Sequence, residues 1–191
     1  MKHIIKRRRI WVSSFSLIIG LLLLSCSKDD EYIIGNFDGT INGNPWNEYS
    51  IQRAALSLNP NTDKHNLSLK TFSEWEGLYR FKELLSVRNI ILSYDTINLV
   101  NRDSFEHIEP GYAYGSYELG DYDVTFRIYK PIEGYKNWLL LNDIKYSSGN
   151  LIVNGECHLT VEAGFGKTTP VDLERGDTLT IVVDFEAVYQ Q

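Results

Sequence analysis

The chain predicts an all-β fold: an antiparallel β-sandwich or partly open barrel, with one short helix as its only departure from strand. Two long runs near the C-terminus carry that expectation. From Leu151 to Val161 the odd positions are apolar or glycine, and the even positions from Asn154 onward are polar. Residues 178–189 repeat the pattern, with Leu179, Ile181, Val183, Phe185, Ala187 and Tyr189 on one side. Period two over such lengths marks strands with one buried face. The remaining apolar runs are short, separated by Gly, Asn and Asp, and show no long helical period, as in sandwiches and barrels.

The elements follow in order. Met1 to Arg9 carries Lys2, Lys6, Arg7, Arg8 and Arg9 with no acid, and Ile10 to Leu24 is largely apolar. As a helix that apolar stretch is roughly 22 Å long, short of the ~30 Å hydrocarbon core. A cleavable signal peptide over residues 1–25 fits the length and flanks better than a transmembrane anchor.

Leu23-Leu24-Ser25-Cys26 resembles the lipobox of bacterial lipoproteins. The resemblance implies cleavage after Ser25, a thioether from Cys26 to diacylglycerol and acylation of the new amine. Two or more acyl chains anchor a protein stably, whereas one is marginal. Ser27-Lys28-Asp29-Asp30-Glu31 resembles the acidic export signal that Bacteroidota place after the lipidated cysteine. That resemblance implies an outer-membrane lipoprotein facing the cell exterior, its membrane contact made through Cys26. The same residues suit a solvated, flexible tether over 26–35.

Without residues 1–25, fourteen Lys and Arg face twenty-five Asp and Glu, a formal charge of −11 against −6 for the whole chain. So acidic a balance disfavours nucleic acid and anionic headgroups, which need cationic patches. The length suits one core, expected over residues 36–191. With Cys26 lipidated, Cys157 has no disulfide partner, and its place in the alternating run points it inward as a small hydrophobe.

Phe37 to Ile41 alternates and runs into Asn42-Gly43-Asn44-Pro45, where Asn-Gly favours positive φ. Trp46 follows, placed to close one end of a core. Residues 37–46 resemble the opening of Bacteroidota lipoprotein domains that begin with a strand, an Asn-Gly turn and a Trp. Tyr146-Ser147-Ser148-Gly149 and Asn154-Gly155 echo their closing strand pair. This second resemblance implies a β-sandwich and no particular activity. Leu67 to Phe72 reads as strand. Residues 84–93 read as strand from their β-branched content, with the short helix expected just before, where Trp75, Leu78 and Tyr79 sit. Residues 121–129 form a further strand, with Val124, Phe126 and Ile128 sharing a face. Trp138 to Leu141 is a short apolar run, and Arg175-Gly176-Asp177 a tight turn.

Motifs for chemistry are sparse. His65, His107 and His158 are far apart in sequence, and no Cys/His cluster has zinc spacing. Gly164-Phe165-Gly166-Lys167-Thr168 lacks the spacer and following helix of a phosphate loop. Acidic residues around Asp121 and Asp177 lack calcium-loop alternation. No cofactor or metal is expected. A carboxylate pair for glycoside hydrolysis is a property of the fold rather than of spacing.

The most suggestive feature is aromatic: Tyr112, Tyr114, Tyr117 and Tyr122 lie among glycines and acids. Flat amphipathic rings beside polar groups suit a sugar-binding surface, and half-buried strand tyrosines fit the same spacing. Ligand-binding candidates are therefore Tyr112, Tyr114, Tyr117 and, as a second platform, Trp75. Asp95-Thr96-Ile97 and Asp177-Thr178-Leu179 resemble a Bacteroidota O-glycosylation signal, which implies glycans on Thr96 and Thr178. The expected role is non-catalytic accessory binding of a glycan or an envelope protein. The alternatives are an assembly subunit of an envelope complex and, third, a glycoside-type hydrolase.

Overall fold

Alternation turns one face of nearly every strand inward, and the inward faces meet because the sheet curls round to pair with itself. The computed structural model describes residues 34–46, 51–76, 78–101, 111–121, 124–166 and 175–189, without the side chains of Trp75, Tyr79 and Phe165. Among the described residues there is no helix. The strands are β1 (Asn36–Ile41), β2 (Asn44–Pro45), β3 (Ile51–Leu58), β4 (His65–Trp75), β5 (Leu78–Ile90) and β6 (Ile97–Val100). They continue with β7 (Tyr112–Asp121), β8 (Val124–Pro131), β9 (Trp138–Ser147), β10 (Asn150–Gly166) and β11 (Thr178–Tyr189).

All belong to one mixed sheet. Antiparallel pairs run β3–β4–β5–β7–β8–β10–β11. A single parallel bridge, Val188 to Ala55, returns β11 to β3. The pairings thus form a ring with a thin seam, the partly open barrel among the expected architectures. Gly35, read from sequence as the last tether residue, reinforces the seam: its carbonyl accepts the Ala54 N–H at 2.9 Å. Strand β6 lies parallel to β7 and antiparallel to β9, giving a second path from β7 to β10.

The two long C-terminal strands pair antiparallel from Leu151↔Tyr189 to Glu162↔Thr178. Asn42 and Gly43 turn the first hairpin with φ of 53° and 77°, and the Asn42 side chain accepts the Thr180 N–H at 2.8 Å. Inside lie Leu69, Leu85, Val87, Leu119, Leu139, Leu159 and Ile181, all fully buried. Cys157 is among them, and burial pushes its thiol up to about 12. Gly155 admits Phe185: a Cβ there would stand 2.8 Å from the ring and 2.4 Å from the Leu140 carbonyl oxygen.

The helix expected before residue 84 is not present. Strands β4 and β5 pair as a hairpin, with Trp75 opposite Leu78. The apolar alternation of β5 is interrupted at Glu83, a carboxylate at an inward position, and that interruption imitates a change of period. Tyr112, Tyr114 and Tyr117 lie on strand β7.

Candidate functional site

Glu83 lies inside the barrel at 0% exposure. An ionised carboxylate is retained in such a place only if donors surround it. Its Oε2 accepts the Trp46 indole N–H at 2.5 Å and the Thr71 hydroxyl at 3.3 Å. Its Oε1 accepts the Tyr117 hydroxyl at 2.6 Å and Arg175 Nε at 2.8 Å, with Arg175 Nη2 at 2.7 Å. A carboxylate offers about four lone-pair sites, so four side chains leave no acceptor for a ligand. The cluster is an anchor. Around it Phe37, Trp46, Tyr117 and Tyr129 follow one another at ring separations of 4.9, 5.7 and 5.6 Å.

Tyr117 therefore does not present a binding surface. Its ring faces the barrel interior at 0% exposure, because strand period two puts it with Ala113, Gly115 and Leu119. Burial, the adjacent Glu83 charge and the hydrogen bond to it push the Tyr117 hydroxyl well above the usual tyrosine range. Tyr112 and Tyr114 take the opposite face, exposed and half-buried respectively. Trp75 ends β4, but its side chain lies outside the described residues, as do Cys26 and the whole of the expected signal and the tether as far as Ile33.

A groove of about 660 Å³ opens on the outer face where β6 meets β7 and β9. Its base is a cross-strand row. Asn98 pairs with Tyr112 on one side and with Trp138 on the other, and all three line the groove. The row continues to His158, whose ring meets Trp138 edge-on at 6.0 Å.

The far wall is the connection from Ile132 to Asn137, which carries Glu133, Tyr135 and Lys136. Gly134 turns it at φ 83°. Asn137, nearly buried, holds it in place. Its side-chain oxygen accepts the Thr160 N–H at 2.6 Å and its amide donates to the Ile132 carbonyl at 3.2 Å. Its own carbonyl accepts the Leu99 N–H at 2.9 Å. Tyr135, 58% exposed, is thereby offered to solvent beside Tyr112 and Trp138.

Of the sequence candidates, the groove gathers Tyr112 and Thr96 and omits Tyr114 and Tyr117. Thr178 is exposed at the start of β11, away from it. Sequence reasoning missed Asn98, Tyr135 and Trp138. The signal available for Tyr135 and Trp138 was the turn Glu133-Gly134 set between Pro131 and two aromatics; Asn98 joins them only through the pairing of β6 with β7 and β9. Among the described residues no group of three or more His, Cys, Asp or Glu is arranged to hold a metal ion. No protein-family profile, curated protein or solved structure matches the chain.

Proposed function

We propose that this protein is a lipid-anchored outer-membrane lipoprotein, facing the cell exterior, whose barrel binds a glycan without cleaving it. One observation carries the binding half: the Tyr112–Asn98–Trp138 row at the base of a groove of about 660 Å³. Aromatic faces cover the apolar C–H faces of sugar rings while an amide between them donates and accepts at the sugar hydroxyls. The volume falls within the ~300–1,000 Å³ of ligand sites. Glu133 is the one acid among the described residues lining the groove, whereas most glycosidases use a facing carboxylate pair. The anchor half rests on the lipobox resemblance at Cys26 and the acidic run after it.

The test is a soluble-glycan screen on the full chain in sugar-free detergent, read by tryptophan fluorescence. The reading expects a specific shift that Tyr135→Ala weakens about tenfold, or 1.4 kcal/mol, with the melting transition unchanged. Silence with every glycan, together with co-purification of an envelope protein, would return the molecule to the assembly class. For the location, protease added to intact cells should degrade the protein; degradation only after lysis would overturn it.

A further inference from the structure

The groove does not end at Tyr112. A second cavity of about 200 Å³ adjoins it, lined by Ile91, Ser93, Asp95 and Ile97, and the two share Thr96 and Tyr112. The smaller space alone falls below the ~300 Å³ at which ligand sites begin, so it extends the larger one. Exposed Ile91 and Tyr94 continue the apolar surface on that side.

Spacing points the same way. Tyr112 and Trp138 stand on either side of Asn98, two inter-strand steps apart, which is roughly 10 Å. One pyranose ring does not span that distance. A chain of sugars touches both aromatics; a single sugar touches one.

Charge narrows the class. Among the described residues that line them, the two cavities present Lys136 against Glu133 and Asp95, on a chain whose formal charge without residues 1–25 is −11. A polyuronate or sulfated glycan calls for a clamp of cations, and this lining is not one. Resting on the glycan-binding reading above, we infer that a neutral oligosaccharide runs through both cavities, crossing at Tyr112, so that the site reads chain length.

Calorimetry on the full chain in sugar-free detergent, with neutral gluco-, manno- and xylo-oligosaccharides from one to six units, tests this. The hexasaccharide of the series that binds should bind at least tenfold tighter than its monosaccharide. Ser93→Tyr, which fills the smaller cavity, should lower hexasaccharide affinity to the trisaccharide level and leave trisaccharide binding within twofold. Should Ser93→Tyr fail to fold, Ile91→Ala replaces it, with a threefold or larger loss expected for the hexasaccharide alone. Equal affinity for one and six units, or hexasaccharide binding indifferent to these variants, overturns the two-cavity path while glycan binding stands. Tighter binding of an oligogalacturonate than of any neutral chain overturns the neutral class. Absence of binding by every saccharide overturns this inference and the proposed function together.

Discussion

Arg175 and Glu83, 92 residues apart in the chain, meet through a guanidinium nitrogen and a carboxylate oxygen at 2.7 Å. The contact ties the residue three before β11 to the middle of β5, across the interior. Arg175 is 16% exposed at its side chain and Glu83 not at all. Both guanidinium contacts converge on Oε1, leaving Oε2 to Trp46 and Thr71.

Arg175→Ala leaves a buried carboxylate without its counter-charge. Breaking such a pair costs about 3–5 kcal/mol, so the urea midpoint should fall steeply. Arg175→Lys keeps the charge but not the fork and should fall between. A loss below about 1 kcal/mol for the alanine variant, the range of an exposed pair, would mean that the contact is not an anchor.

Stability should decline in alkali, in two stages. The Cys157 thiol is held up to about 12 in the folded protein from an ordinary value of 9.0. Above pH 9 the unfolded chain therefore releases a proton that the folded chain keeps. The unfolded state binds fewer protons, and the unfolding free energy falls by roughly 1 kcal/mol per pH unit. Tyr117, also raised by burial, adds a decline of the same sign above pH 10. Cys157→Ala should abolish the first stage and keep the second in urea midpoints followed from neutral pH upward. Identical profiles for both proteins would refute the assignment.

The buried thiol should also resist iodoacetamide in the native protein and react once urea unfolds it, since the thiolate is the reactive form. Rapid native alkylation, followed by intact mass, would contradict its placement inside β10.

Asn137→Ala removes the acceptor of the Thr160 N–H and frees the groove wall without deleting a groove aromatic. The orphaned donor costs about 1–3 kcal/mol, and glycan affinity should drop about tenfold. Asn137→Asp retains the accepting oxygen and should recover part of the affinity. If the alanine variant loses stability while binding is unchanged, Asn137 supports the barrel rather than the site.

Gly155→Ala drives a methyl into the Leu140 carbonyl and the Phe185 ring, at 2.4 and 2.8 Å. Overpacking of this kind costs about 1–3 kcal/mol, read as a lower melting temperature. A neutral result would mean that β9 and β10 separate freely at their bulge between Asn154 and Gly155.

Much of the frame was legible in the chain. Period two in β10 and β11 settles their inward residues, Cys157 included, because side-chain alternation is a local property of extended backbone. Asn42-Gly43 specifies its turn for an equally local reason, the tolerance of positive φ. Tertiary structure decided the rest. Glu83 looks like a break in the pattern until Trp46, Thr71, Tyr117 and Arg175 are brought around it from other segments. Tyr112, Asn98 and Trp138 form one row only after β6 is laid parallel to β7 and antiparallel to β9. Register between strands is non-local: it depends on how the ring closes, and a one-residue slip would turn each of these side chains to the other face.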